Sequence, residues 1–312
     1  MTKKFLFALL FATGLTRLVA WLNRNKVTIL CYHSVTRQRD ANPNDPHKLH
    51  LPIESFLHHL DYLQSHYRII SLAEFVRARR QNTKLPTRAA ILTFDDGVRN
   101  FLTVVSPILL QRRIPATSFI VTGERFTRNK STLNGHWTPE DDDSYLSWTE
   151  VCQLAAQGLE FGSHTCNHHA LPDIPLAEAR SELKESLATL ATNLGADSFP
   201  LAYPHGRTSV VIGRLSESLG YSCAVTTVLG QNNEESDLFS LRRTVIASDD
   251  DLPTFAARLS GLTSWYARFS AFFTGRIAGA PRASNICYDP VVAEEFHAGQ
   301  TLPSGTEFDL VQ

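Results

Sequence analysis

Short apolar runs rich in β-branched residues recur along this chain at 27–32, 68–70, 89–94, 115–121, 159–162, 198–203, 223–226 and 241–246, and each predicts a strand. Between them the apolar positions return at helical spacing. Phe56, Leu57, Leu60 and Leu63 share one face of a predicted helix over 53–66, which places His58 and His59 toward solvent. Further helices are predicted over 72–80, from the strand at 89–94 on to about 113 with a restart at Pro107, and over 149–157, 175–194, 209–219 and 252–259. Gly158, Gly195 and Gly220 stand just past three of these, where a left-handed residue ends a helix. Residues 36–52 and 123–147 are polar and read as loops, the second long enough to be an insertion near a site mouth. The last fifty residues have weak periodicity.

Strands alternating with helices imply a parallel sheet covered by helices. Roughly seven or eight such repeats favour a barrel over an open sheet. In a barrel the chemistry gathers where strands end. Asp95, His164 and His205 each follow a predicted strand.

Those strand ends carry three compact motifs. Thr93-Phe94-Asp95-Asp96-Gly97 puts two adjacent carboxylates before a glycine that permits a sharp turn. Neighbouring side chains at a strand end point to different sides, so one carboxylate can hold a metal while the other handles protons. His164-Thr165-Cys166-Asn167-His168 supplies two imidazoles four residues apart, and Tyr203-Pro204-His205-Gly206 forms the third motif. Two imidazoles with one carboxylate make a three-ligand set that leaves positions open, the pattern of a hydrolytic metal centre.

The three motifs, in this order, resemble the polysaccharide deacetylases (the NodB-homology domain, carbohydrate esterase family 4), whose motifs are T-F-D-D-G, H-[ST]-x-x-H and Y-P-x-G. The resemblance runs from about residue 27 to about residue 260. It implies a distorted (β/α)7 barrel, with a domain over 26–262 flanked by an N-terminal segment 1–25 and a C-terminal extension 263–312. It also implies Asp96, His164 and His168 as ligands of a divalent metal, Zn²⁺ first, with Co²⁺, Ni, Fe or Mn admitted by nitrogen and oxygen donors. Asp95 is then the general base. A backbone N–H at His205 supports the oxyanion, with the His205 side chain lining the pocket, and Tyr203 lines the pocket or simply packs.

Two elements of the family pattern are displaced. The arginine that orients the base precedes the third motif, where this chain has Leu201-Ala202. Arg242 or Arg243 could replace it, with surface pairing the preferred reading of both. The strand ending in Leu-x-His that belongs near the C-terminus is absent there, but Ile29-Leu30-Cys31-Tyr32-His33 looks like that element moved to the N-terminus. Such a circular permutation would make His33 the general acid.

The reaction implied by the resemblance is removal of an N-acetyl group, as acetate, from an amino sugar in a polysaccharide or lipid-linked saccharide. The alternatives are a deformylase or O-deacetylase with the same site, and a non-catalytic carbohydrate-binding relative. A net charge of −1 with no basic patch excludes nucleic acid as the main partner. Five unpatterned cysteines give no disulfide framework and fit a reducing compartment slightly better than an oxidising one. Cys31 and Cys223 read as buried thiols, and Cys166 as a bystander between the two motif histidines.

At the N-terminus Lys3-Lys4 precede an apolar run over 5–12, and Leu15, Leu18, Val19 and Leu22 continue at helical spacing. An uncleaved interfacial amphipathic anchor is the preferred reading, a signal peptide the next and a plain surface helix the third. The expected location is membrane-associated, the cytoplasmic face slightly favoured, with the oligomeric state open.

Overall fold

A computed structural model describes residues 3–37, 48–123 and 144–273. Ten strands are described: β1 (Val27–Tyr32), β2 (Ser34–Thr36), β3 (His50–Pro52), β4 (Arg68–Ile69), β5 (Ala89–Phe94), β6 (Thr117–Ile120), β7 (Glu160–Ser163), β8 (Leu201–Ala202), β9 (Ala224–Val225) and β10 (Thr244–Val245). Seven form one parallel sheet in the order β10-β1-β5-β6-β7-β8-β9, and β4 pairs with the start of β5. A parallel bridge from Val225 to Leu241 links the far edge to the segment that runs on into β10, so the sheet curls back on itself. This is the half-closed barrel that the alternating pattern predicts. The short pair β2 and β3 lies at the two ends of the polar segment 36–52, whose middle falls outside the described residues.

The first strand in the chain is not an edge strand. β1 pairs with β5 from Val27↔Ala89 to Tyr32↔Phe94, and on its other side with β10 through Leu30↔Thr244 and Cys31↔Val245. Strand side chains alternate between faces. Leu30, Tyr32, Leu92 and Phe94 pack outward against Phe56, Leu60 and Phe101 of the covering layer. Ile29 and Ile91 belong instead to the interior cluster with Phe119, Val225 and Leu241. The same parity carries Cys31, Thr93 and Asp95 into the barrel, and His33 falls opposite Asp95 one step past the last paired residues.

Most helices match the predicted spans: Ile53–His66, Leu72–Arg80, Trp148–Ala156, Leu176–Leu194, Val210–Ser218 and Leu252–Ser260. Ser71, Ser147, Ser209 and Asp251 cap four of them through side-chain oxygens. The helix expected after β5 instead begins as a π-helical turn, Phe101–Val105, before Ser106–Arg112. The expectation that both His58 and His59 face solvent holds only for His58. His59 is 1% exposed and stacks on Phe255 of helix Leu252–Ser260 at a centroid distance of 3.9 Å. That helix was expected but its docking onto Ile53–His66 was not, so the spacing alone could not show that a second face is covered.

The N-terminal segment forms two helices, Lys3–Ala12 and Leu15–Leu22, bent by 81° at Gly14. They pack on the barrel through Phe7, Val19 and Ala20, with Ala257 and Leu262 opposite. Asn23 fixes the junction by donating its side-chain amide to Ser260 O at 2.9 Å. The weakly periodic C-terminal region begins with a helix, Leu262–Phe273, and residues 274–312 lie outside the described residues.

Candidate active site

Every residue singled out by the three motifs lies at the C-terminal ends of β5, β7 and β8. Backbone strain concentrates there. Eight non-glycine residues have positive φ among those described, and four of them are Asp96 (71°), Thr165 (63°), His168 (61°) and His205 (56°). Such positions cost about 1–3 kcal/mol each and persist where the surroundings over-determine them. After Asp96 the chain turns at Gly97, also at positive φ, where a Cβ would stand 2.8 Å from the Ile120 side chain.

The histidine motif is held from behind. Glu182, 5% exposed on helix Leu176–Leu194, accepts the backbone N–H of Cys166 at 3.0 Å and of Asn167 at 2.8 Å, and the Asn167 side-chain amide at 2.6 Å. Ser163 Oγ accepts the Thr165 N–H at 3.1 Å, and Thr165 Oγ1 accepts that of His168 at 3.1 Å. No sequence signal pointed to Glu182, which is fourteen residues beyond His168 on a helix with no motif of its own.

This scaffold brings Asp96, His164 and His168 together. Asp96 Oδ1 lies 3.4 Å from Nε2 of both histidines, and the two Nε2 atoms are 3.2 Å apart. His164 Nδ1 donates to Ala202 O at 2.7 Å, so its proton sits there and Nε2 presents a lone pair. Two imidazole nitrogens facing one carboxylate oxygen at these distances fit a divalent cation of the Zn²⁺ type. Burial alone would raise the Asp96 pKa, but hydrogen bonds from His164 and His168 and the nearby imidazoles hold it well below the usual carboxylate range. Burial alone would lower that of His164, and Asp96 and Asp95 raise it instead. The site therefore favours positive charge.

Asp95 turns the other way, into the barrel, and is 3% exposed. Its carboxylate is gripped by Arg243, Nη1 to Oδ1 at 2.6 Å and Nη2 to Oδ2 at 2.7 Å. The guanidinium is fully buried and is itself positioned by Thr226 O (2.8 Å from Nε) and Thr93 Oγ1 (3.1 Å from Nη1). The preferred reading of Arg243 as a surface pair is thus corrected. It follows β9 and the Leu241 bridge into the barrel, a placement that only strand order decides; Arg242, the residue before it, faces outward and bonds Leu229 O. Burial would raise the Asp95 pKa, but the Arg243 charge and hydrogen bonds, with His164, bring it down to about 2.

His33 stands with Cys31 and Asp95 in a group whose nitrogen, sulfur and oxygen atoms lie within 4.8 Å of one another. Among the described residues its buried Nδ1 has no hydrogen-bond partner. Burial lowers its pKa, only partly offset by Asp96 and Asp95, so the ring rests neutral near pH 7. Cys31 Sγ donates to Asp95 Oδ2 at 3.4 Å, and burial pushes this thiol well above its ordinary pKa. The group is a poor second metal site, because both Asp95 oxygens already face the Arg243 charge.

His205 is exposed, with its ring 4.8 Å from that of His168. Among the described residues its N–H has no backbone carbonyl partner. Tyr203 is fully buried, and its phenol donates to Phe239 O at 3.0 Å while its N–H bonds Val225 O. The pocket-lining reading of Tyr203 is therefore corrected to packing, because both of its donors are spent inside the core. Cys166 belongs to neither ligand group.

The polysaccharide deacetylase family model matches residues 82–224. Those residues make a polysaccharide deacetylase domain. That domain, together with relatives named as deacetylases, supports a hydrolase acting on carbon–nitrogen bonds. The polysaccharide-deacetylase homologue YxkH of Bacillus subtilis is 23% identical over 247 residues, which cover 78% of this chain and 80% of that one. The poly-β-1,6-N-acetyl-D-glucosamine N-deacetylase of Escherichia coli K12 is 27% identical over 221 residues, 62% of this chain but only 33% of that enzyme. Among solved structures, the Streptococcus pyogenes deacetylase PplD in complex with acetate superposes with a TM-score of 0.63 at 25% identity, covering 75% of this chain and 98% of that one. The span matched by the deacetylase model includes Asp95, Asp96, His164, His168 and His205 but neither His33 nor Arg243. Both reach the deacetylase centre from outside it, on the flanking strand β1 and the segment leading into β10.

Proposed function

We propose that this chain is a metal-dependent N-deacetylase that releases acetate from N-acetylated amino sugars of a glycan, a β-linked N-acetylglucosamine polymer or its lipid-linked precursor. The observation that carries this reading is the meeting of two differently held carboxylates: Asp96 aimed at two imidazoles, and Asp95 clamped by Arg243 beside His33. The relatives named for poly-N-acetylglucosamine support the sugar, and the acetate in the similar streptococcal structure supports the acyl group.

Asp96, His164 and His168 would hold the metal. Bound there, a divalent cation supplies Lewis-acid polarisation of a carbonyl and a lowered pKa for water. Asp95 is ionised throughout the neutral range and accepts the proton of the attacking water. Arg243 keeps its carboxylate oriented, a task that bidentate geometry suits. The His205 N–H, which among the described residues has no backbone partner, would donate to the oxygen that gains charge. Neutral His33, within relay distance of Asp95, takes up a proton and delivers it to the leaving amine; its lowered pKa makes it a ready donor once charged. The position of β1 between β5 and β10 is what a circularly permuted barrel requires of that acid.

The test is acetate release from N-acetylglucosamine oligomers, β-1,6- and β-1,4-linked, by metal-stripped protein before and after addition of Zn²⁺ or Co²⁺. Metal-restored release that is lost in Asp95→Asn supports the reading. Stoichiometric metal without acetate release from either oligomer would move the acyl group or the sugar, and failure to bind metal would favour a non-catalytic carbohydrate-binding protein.

A further inference from the structure

Exposed large apolar side chains are not scattered over this protein. Eight of the eleven among the described residues lie on the two N-terminal helices and the start of helix Leu262–Phe273. Such clustering marks an interaction face, whereas single exposed apolar residues need no explanation.

The face follows from how the helices dock. Helix Lys3–Ala12 turns Phe7 into the core and leaves Phe5 and Leu9, one turn apart, in solvent. Helix Leu15–Leu22 buries Thr16, Val19 and Ala20 and leaves Leu18, Trp21 and Leu22 outside. Trp265 is also exposed, on the helix whose Tyr266 packs edge-on against Phe7 with centroids 6.0 Å apart. These helices therefore have two apolar faces, one spent on the barrel and one left exposed among the described residues.

Charge selects the occupant. Residues 1–26 hold five Lys and Arg and no Asp or Glu, whereas the rest of the chain has six more acidic than basic residues. The Arg24 guanidinium lies 4.5 Å over the Trp21 ring, so a cation stands at the polar edge of the apolar face. Neither helix alone is long enough to cross a bilayer; the two together have the length and apolar composition, but the 81° bend between them and their packing against Ala257 and Leu262 hold both on the fold. Lys4 is spent on Asp249 of the barrel, which leaves Arg24 as the cation shown beside the face, and apolar and aromatic residues edged by such a cation on a basic segment are what an anionic lipid surface takes up.

We propose that the outer face of helices Lys3–Ala12 and Leu15–Leu22 is a docking surface for an anionic lipid bilayer, and that it holds the folded barrel at the membrane without spanning it. The face depends on the N-terminal helices staying docked, so it moves with the barrel as one body. It does not depend on the deacetylase reading.

The test is flotation of the full-length protein with vesicles of phosphatidylcholine alone and of phosphatidylcholine with phosphatidylglycerol. The expected result is binding to the anionic vesicles, at least tenfold weaker binding to the neutral ones, and weakening as salt is raised. Leu18→Glu and Trp21→Glu should each lower binding at least tenfold while circular dichroism, the melting temperature and turnover of a soluble oligosaccharide stay unchanged. Absence of binding to either vesicle, or equal binding by the variants, overturns the proposal. So does concentration-dependent dimerisation that the two variants abolish without any vesicle binding, because the occupant would then be a second copy. Failure of catalysis with intact vesicle binding would strike the proposed reaction alone.

Discussion

Arg243 and Asp95, 148 residues apart, form a two-pronged ion pair inside the barrel, with the guanidinium fully buried and the carboxylate 3% exposed. Its geometry sets what each partner can be replaced by. Removing one side leaves a buried charge unpaired, which costs about 3–5 kcal/mol. Arg243→Gln should therefore lower stability by that amount and abolish turnover. Arg243→Lys keeps the charge but loses the fork, and we expect a smaller loss of stability with turnover reduced about 10–100-fold. Thermal unfolding and acetate release on the same preparations separate the two effects.

His33 should matter to catalysis without mattering to metal binding. His33→Ala is expected to lower kcat by about 10²–10⁴-fold, the range of a lost proton-transfer group, with metal content by elemental analysis unchanged. Near-normal turnover would remove His33 from the mechanism and leave it as a strand-end residue.

Glu182 acts through the backbone of the histidine motif. Glu182→Gln loses the charged acceptor for the N–H groups of Cys166 and Asn167. The expected outcome is metal affinity weaker by about 10–100-fold, the effect of losing an outer support of ligands, measured by competition with a coloured chelator. Helix content by circular dichroism should stay the same, since Glu182 sits within a 19-residue helix.

Metal removal should destabilise as well as inactivate. A ligand bound only by the folded state at a concentration 100–1,000 times its Kd adds about 2.7–4.1 kcal/mol. Stripping the metal should lower the melting temperature of the parent protein and leave that of a His164→Ala, His168→Ala double variant where it was.

His59 makes stability depend on pH. Burial against Phe255, only partly offset by the Asp250 backbone, lowers its pKa to about 3, against 6.5 ordinarily. The unfolded chain thus binds a proton that the folded chain refuses between those values, so stability is full above pH 6.5 and falls by about 1.4 kcal/mol per unit as the pH drops toward 3. His59→Phe keeps a ring on Phe255 and cannot titrate. Urea unfolding at several pH values should show the variant gaining on the parent with that slope.

The sequence by itself determined the local elements and the chemistry at their ends. Helix Ile53–His66 was legible to the residue because its apolar spacing is local. The motif residues were legible because a strand-end Asp-Asp, a close histidine pair and a Tyr-Pro-His-Gly turn each lie within five residues. The likeness of residues 29–33 to the family strand ending in Leu-x-His also made His33 a candidate before any strand order was known.

Tertiary structure decided what depends on partners far along the chain. Whether Arg243 is a surface cation or the clamp on Asp95 turns on β10 pairing with β1, which in turn pairs with β5. Whether His59 is wet turns on a helix some two hundred residues later, and Tyr203 reads as pocket or core only once Phe239 is seen to accept its hydroxyl. Hydrophobic periodicity reports that a face is apolar and never what covers it. The N-terminal helices show the converse: their sequence promised one apolar face, and only their docking on the barrel revealed which side chains remain uncovered.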